Sequence, residues 1–359
     1  MRKIVLTGGG STGHVSLNLA LIPLLREKGW RIHYIGSKEG IERSLIEKIP
    51  DVTYHSISTG KLRRYFDLKN FLDPLKVGLG VLQAQRLIRK IKPDIVFSKG
   101  GFVSVPVVMA AWMNRVSVIS HESDYNLGLA SKLAIPFSKR MAFTFPETRK
   151  HIPKEKALFL GPVVRPDIHD GEREKGLRLC GFDSTKSVIL VMGGSLGAKK
   201  INGTVRRCLP ALLENYHVVH LCGKGKADAG IAEKGYKQFE YVDEGLADLY
   251  AAADLIISRA GSNSIFEFLA LRIPMILIPL PLSASRGDQI LNAKSFAKQG
   301  FGEVLNEEEM TEESLIKTLR EMDSNREAYI KNMESKNQGD GLQKLYHAIA
   351  SASIKRRKM

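Results

Sequence analysis

Two glycine-rich turns hold the residue types that anion and carbohydrate recognition needs. Gly8-Gly9-Gly10-Ser11-Thr12-Gly13-His14 follows the apolar run Ile4-Val5-Leu6, and Gly193-Gly194-Ser195-Leu196-Gly197 follows Ser187 to Met192. Glycines there permit positive φ and let a ligand approach backbone N–H donors at the positive end of the next helix. His14 adds an imidazole at such a helix start. The dipole disfavours its charged form, so the ring can accept a hydrogen bond or a proton near neutral pH. Three roles stay open for it: a general base, a group that positions a substrate, or a structural cap.

Other polar clusters come at the ends of apolar runs: Ser98-Lys99-Gly100-Gly101, His121-Glu122-Ser123-Asp124, Val242-Asp243-Glu244, Arg259 to Glu267, and Ser283 to Gln289. In the fourth, a strand end passes into a helix near Ser262. Asn263, Ser264 and Glu267 then share one helical face. The two oxygens of Glu267 can accept from two sugar hydroxyls, and the first N–H groups of its helix suit a diphosphate. A solvated helix surface is the competing reading of Glu267. Asp288 and Gln289, in a polar turn, offer acceptors and, for Gln289, donors. Arg165 is either an anion contact or one half of a linker salt bridge.

The elements that must position these groups alternate. Strands are expected at Lys3–Leu6, Arg31–Ile35, Thr53–Ile57, Asp94–Ser98, Ser117–Ser120 and Met141–Thr144, then at Ser187–Met192, His217–Leu221, Phe239–Val242, Leu255–Ser258, Met275–Pro279 and Gly302–Leu305. Helical spacing fills the intervals, which predicts an α/β chain with two Rossmann-like, doubly wound parallel sheets. Ligands bind beyond the carboxyl ends of such strands, so all seven clusters are expected to rim one cleft between two domains. The Gly161-Pro162-Val163-Val164-Arg165-Pro166 segment marks the boundary. We expect domains at 1–162 and 163–340, and a terminal helix over 341–359 that returns to the first domain.

Composition sets outer limits. At 359 residues and 43% hydrophobic, the chain can bury two cores. Its three cysteines have no pairing or metal-ligand spacing, and no Asp-x-Asp triplet appears, so neither a disulfide framework, nor a bound metal, nor a tightly held cofactor is expected. The Arg2-Lys3 start leads straight into a strand, with no secretory pattern. No apolar run reaches the roughly 20 residues of a membrane span. The net charge of +16 favours an anionic partner. Phe66, Lys69, Phe71, Leu75 and Lys76 interleave apolar groups and cations as a peripheral patch on an anionic membrane would. A solvated loop followed by a core helix is the alternative. No nucleic-acid motif accompanies the charge.

The motifs Gly8-Gly9-Gly10-Ser11-x-Gly13-His14-Val15, Ser98-Lys99-Gly100-Gly101-Phe102-Val103-Ser104, His121-Glu122-Ser123-Asp124, Gly193-Gly194-Ser195-Leu196-Gly197-Ala198 and Arg259-x-Gly261-x-x-Ser264-x-x-Glu267 occur in this order. Together they resemble the MurG family of peptidoglycan N-acetylglucosaminyltransferases, of GT-B fold and family 28, essentially from end to end. The resemblance implies inverting transfer of GlcNAc from UDP-GlcNAc to the muramyl 4-hydroxyl of lipid I, giving lipid II. It implies peripheral work at the cytoplasmic face of a bacterial membrane, within reach of a wall-synthesis assembly. It assigns Arg165, Ser195, Val242, Ser262, Asn263, Ser264, Glu267, Asp288 and Gln289 to UDP-GlcNAc, with Glu267 on the ribose and the Val242 backbone facing uracil. Ser11, Thr12, Gly13, His14, His121 and Asp124 fall to the acceptor. Asp124 replaces the family's Asn, and its carboxylate makes it a competing base to His14.

Three rivals remain at this level. Gly8-x-Gly10-x-x-Gly13 also satisfies the dinucleotide fingerprint of an NAD-linked oxidoreductase, although Glu39 comes late for its acidic partner. Another GT-B enzyme, such as a diacylglycerol glucosyltransferase or a UDP-GlcNAc epimerase, would share the nucleotide half. A nucleic-acid module would rest on charge alone.

Overall fold

The computed structural model describes residues 1–60, 73–194, 197–242, 244–335 and 340–357. The chain divides into two compact units, one of Met1–Val164 with Gly339–Met359 and one of Arg165–Gln338.

The first unit runs β1 (Arg2–Thr7), α1 (Ser16–Glu27), β2 (Trp30–Ser37), α2 (Ile41–Ile46), β3 (Val52–Ile57), α3 (Asp73–Ile91), β4 (Ile95–Ser98), α4 (Ser104–Met113), β5 (Ser117–Glu122), α5 (Leu129–Ala134), β6 (Arg140–Phe143) and β7 (Ala157–Phe159). Its sheet has the order β3-β2-β1-β4-β5-β6-β7, and every pairing is parallel. Strand alternation divides the apolar residues between two faces. Ile4, Leu6, Ile95 and Phe97 pack with Leu21 and Leu25 of α1, whereas Val5 and Val96 pack with Ile88 of α3 and Val107 of α4. Burial on both faces is what a parallel sheet requires.

The second unit runs α6 (Arg173–Cys180), β8 (Ser187–Met192), α7 (Lys199–Leu212), β9 (Tyr216–Leu221), β10 (Tyr236–Phe239), α8 (Leu246–Ala252), β11 (Leu255–Ser258), α9 (Ser262–Leu271), β12 (Met275–Leu277), α10 (Asp288–Lys298), β13 (Gly302–Val304), α11 (Glu312–Ser324) and α12 (Arg326–Glu334). Its parallel sheet has the order β10-β9-β8-β11-β12-β13. Ile189, Val191, Leu255 and Ile257 meet Ile201 and Val205 of α7 and Leu315 and Leu319 of α11. The last helix, α13 (Gly341–Arg357), belongs to the first unit, where Leu342, Leu345, Tyr346 and Ile349 join the core beside α1.

Strand order reverses between β1 and β4 and again between β8 and β11. Thr7 pairs with Ser98 and Met192 with Ser258, so each glycine-rich turn leaves the sheet beside a second polar loop. Such switch points are where open α/β sheets bind ligands. One expected strand needs correcting and one observed strand is additional. The strand placed at Phe239–Val242 is Tyr236–Phe239, and β7 was not foreseen.

Candidate active site

In the first unit the glycine-rich turn is shaped from beneath by a carboxylate. Glu42 is fully buried. Its Oε2 accepts from the Gly10 N–H at 3.1 Å, and its Oε1 accepts from the N–H and hydroxyl of Ser37 at 3.0 and 2.5 Å. It fits because Gly9 and Gly40 lack side chains: a Cβ would lie 2.4 Å from Cδ of Glu42 at Gly9 and 2.2 Å from its Oε2 at Gly40. Gly10 turns at φ +86° against the Phe102 ring. Tyr34 donates to the Gly8 carbonyl at 2.7 Å. The Gly10 N–H that a dinucleotide diphosphate would need is therefore taken by Glu42, a buried residue of α2. This arrangement disfavours the NAD-linked rival.

One 3-10 turn, Thr12–His14, separates the glycines from α1, so His14 sits before the helix and not in its first turn. Ser11 is exposed and Thr12 half-buried. The Thr12 hydroxyl oxygen is buried and has no hydrogen-bond partner among the described residues. Such an orphan is what a bound polar group would satisfy. The imidazole of His14 is held neutral, its pKa pushed down to about 4. Burial is the main cause, followed by the Lys99 charge, while Asp124, a hydrogen bond with the Lys99 backbone, and Glu42 oppose the shift. The expectation of a neutral ring holds, but burial and Lys99, not the helix dipole, account for it.

The loop after β5 wraps round Glu122. That carboxylate accepts from the N–H groups of Ser123, Asp124 and Gly128 at 2.9, 3.1 and 2.9 Å. Burial, then the Asp124 charge, pushes its pKa up. Asp124 is half-buried and electrostatically coupled to His14. His121, expected among the acceptor contacts, is only 1% exposed; its Nε2 pairs with the Thr144 hydroxyl at 3.2 Å, inside the sheet. Lys99 is also 1% exposed and donates to the Ser123 hydroxyl at 2.8 Å. Burial lowers its pKa against the opposing pull of Glu122 and Asp124. Neither Glu42 nor Lys99 was singled out from the sequence. Glycines at 36 and 40 beside a GxE pattern were the available signal for the first.

In the second unit α9 starts at Ser262 after Gly261, as its sequence predicts. No side chain caps it and no acidic residue lies in its first turn. The first-turn amides of an α-helix have no intrahelical acceptor, the arrangement an anion uses. Ser262 is buried, Asn263, Ser264 and Glu267 are half-buried, and Ile265, Phe266, Phe268 and Leu269 enter the core. Glu267 accepts from Tyr250 at 3.1 Å and from Arg165 Nε at 3.4 Å, with its side chain 12% exposed. Burial raises its pKa, against the pull of Arg165 and the Tyr250 bond. Each carboxylate oxygen retains a second lone pair. Arg165 also meets Asp167 at 3.5 Å, so the linker ion pair and the contact to Glu267 coexist. Tyr250 is a member of this cluster that the sequence did not disclose.

Arg259 ties the ends of β11 and β12 together, donating to the carbonyls of Ile278 and Pro279 at 3.1 and 3.3 Å and pairing with Glu307. Asp288 and Gln289 open α10 behind Gly287 at φ +81°; they are helical, where a turn was expected. Gln289 Oε1 accepts from the Leu280 N–H at 3.1 Å. Val242 lies three residues beyond β10 and not at its end. Ser195, Phe66, Lys69 and Phe71 lie outside the described residues. Leu75, Leu79 and Leu82, at helical spacing on α3, are 71%, 49% and 55% exposed. Lys76 is exposed beside them. Among the described residues no helix is long and apolar enough to cross a membrane, and no group of three or more His, Cys, Asp or Glu could hold a metal ion.

Residues 4–143 match the glycosyltransferase family 28 N-terminal domain and 188–349 the family's C-terminal domain. The chain is 57% identical over 353 residues to the UDP-N-acetylglucosamine–N-acetylmuramyl-(pentapeptide) pyrophosphoryl-undecaprenol N-acetylglucosamine transferase of Geobacillus thermodenitrificans, covering 98% of this chain and 99% of that one. A Bacillus cereus protein of the same name, numbered 2, is 60% identical over 306 residues, with 85% and 87% covered. The crystal structure of Acinetobacter baumannii MurG shares the fold, with a TM-score of 0.77 at 24% identity over 98% of this chain and 100% of that one. The kitacinnamycin glycosyltransferase follows at 0.71 and 17%, with 99% of each chain covered. The chain belongs to glycosyltransferase family 28.

Proposed function

We propose that this enzyme transfers N-acetylglucosamine from UDP-N-acetylglucosamine to the 4-hydroxyl of an undecaprenyl-pyrophosphoryl N-acetylmuramyl-pentapeptide, lipid I, with inversion, to give lipid II. The observation that carries the reading is the 57% identity, over almost the whole of both chains, to a relative named for this transfer.

The second unit takes the donor. Glu267, braced by Tyr250 and Arg165, accepts from the ribose hydroxyls. The uncapped amides of α9 hold the diphosphate and stabilise charge as UDP departs, a role that preorganised backbone dipoles fill without reorganisation. Val242, Asp288 and Gln289 complete the uracil and sugar contacts, and neither a metal ion nor a tightly bound cofactor takes part. The first unit takes the acceptor, with the Thr12 hydroxyl among its contacts. As the acceptor oxygen bonds to the anomeric carbon and the bond to UDP breaks, its proton passes to the neutral His14 imidazole. Asp124 stabilises the imidazolium that results.

A lipid acceptor implies work at a membrane, at the cytoplasmic face where the nucleotide sugar is made, beside the other wall-synthesis enzymes. The exposed Leu75, Leu79 and Leu82 with Lys76 give α3 the apolar and cationic character of an interfacial helix. UDP release from UDP-GlcNAc, with and without a lipid I analogue, tests the proposal. Release that requires the acceptor supports it; release that ignores the acceptor points to hydrolysis or epimerisation.

A further inference from the structure

Lys99 is a buried cation that neither substrate assignment uses. Its side chain is 1% exposed, in the loop that joins β4 to α4, and Nζ donates to the Ser123 hydroxyl at 2.8 Å. Ser123 lies in the loop that carries Asp124, and that loop is already closed by three N–H bonds to Glu122. On the other side stands His14, whose ring lies against the backbone just after Lys99: a Cβ added at Gly100 would lie 3.9 Å from its Nδ1. The ring occupies room that Gly101 leaves, since a Cβ there would come within 3.0 Å of its Cδ2. Among the described residues, the charges that act on the imidazole are Lys99 from the β4–α4 loop, Asp124 from the loop after β5 and Glu42 from α2. Lys99 is the single cation among them.

We propose that Lys99 is a positioning residue for the transfer step: through Ser123 it anchors the loop that carries Asp124, and it places a fixed positive charge beside His14, so that the imidazole meets the acceptor as a proton acceptor. The inference rests on the reading of His14 as the base. Desolvated charge next to an imidazole acts strongly because little water screens it. A ring of such low basicity is a weak base by itself. The acceptor brings a diphosphate, whose negative charge offsets Lys99 and raises the ring's basicity when the substrate is in place. Lys99 thus makes the base effective only in the acceptor complex.

The test uses the full chain. The His14 ring is titrated by NMR, assigned by comparison with His14→Gln, in the parent, Lys99→Met, Lys99→Gln and Lys99→Arg. The acid limbs of kcat/KM and kcat against pH are measured in parallel. Because the base works unprotonated, the rate falls as pH drops through its pKa. Losing the cation raises that pKa, so the acid limb of kcat/KM moves to higher pH. Lys99→Met and Lys99→Gln should raise the His14 titration by roughly one pH unit, the scale of a single nearby charge. They should move the kcat/KM limb with it, and Lys99→Arg should restore both. Lys99→Gln keeps a donor for Ser123, so it serves if the Met variant does not fold. A His14 titration unchanged in the folded neutral variants overturns the proposal. A titration that rises while the acid limb stays fixed supports the electrostatic role of Lys99 and removes His14 as the base.

Discussion

Replacing Glu267 by alanine separates what this carboxylate does for the fold from what it does for the nucleotide. In the free protein it accepts one bond from Tyr250, whose ring is 1% exposed, and one from Arg165. Arg165 keeps Asp167 at 3.5 Å and is 29% exposed, so its loss of a partner costs little, below about 1 kcal/mol. The buried Tyr250 hydroxyl loses its acceptor, which costs about 1–3 kcal/mol. For a unit of this size that lowers the melting temperature by roughly 2–12 °C. Two ribose hydroxyls donating to a carboxylate are worth about 1.5–3 kcal/mol each, so UDP affinity should drop by about two to four orders of magnitude. Calorimetric titration with UDP and with 2′-deoxy-UDP, beside thermal melts, reads both terms. The deoxy ligand should lose less on mutation, because one of its two bonds is already missing. If Glu267→Ala melts lower yet binds UDP within about threefold of the parent, the carboxylate is only a clamp for Tyr250 and Arg165, and the ribose assignment is wrong.

Four further expectations follow. Gly101→Ala should abolish folding or turnover, since φ is +79° and the added Cβ would lie 2.3 Å from the Gly9 carbonyl oxygen; normal activity would contradict the tight apposition of the two loops. His220 is fully buried between the Tyr236 hydroxyl at 2.9 Å and Asn202 Oδ1 at 3.1 Å, and burial pushes its pKa down to about 3. A histidine depressed in this way takes up its proton first in the unfolded chain, so its contribution is complete above about pH 6.5 and declines as pH falls toward 3. Urea melts should show stability falling across that window, with a shallower fall in a folded His220→Gln variant. Turnover should survive exhaustive chelation, and activity lost to chelator and restored by magnesium or manganese would refute metal-free departure of UDP. Finally, Leu75→Ser with Leu79→Ser should weaken retention on anionic vesicles without changing UDP binding, and equal retention would exclude α3 as the contact.

The parts of the molecule legible in its sequence are those where local pattern and burial agree. Ser187–Met192 and Leu255–Ser258 are continuous apolar runs, central in their sheet, and both form at the expected bounds. The edge strand β10 starts three residues before the expected strand, because Tyr236-Lys-Gln-Phe alternates weakly while Phe239–Val242 is the denser apolar run. Ser285 to Gln289 looks like a turn throughout, yet Gly287 at positive φ lets a helix start behind it. Glu267 could be placed on its helix face, but its partner Tyr250 comes from a helix that only the fold brings near. Glu42 was hidden for another reason. An acidic residue in a helical pattern normally faces water, and this one is buried only because Gly9, Gly36 and Gly40 vacate the space it fills. Lys99 stands inside a motif visible from the start, but neither its burial nor its nearness to His14 can be read from spacing.

The most direct test is the structure of the product. The enzyme would be given UDP-GlcNAc labelled with carbon-13 in the sugar and a lipid I analogue, and the extracted lipid examined by NMR. The account predicts one labelled GlcNAc, β-linked to O4 of the muramyl residue, with UDP released in equal amount. Label that stays off the lipid, or a product with the α configuration, would contradict it.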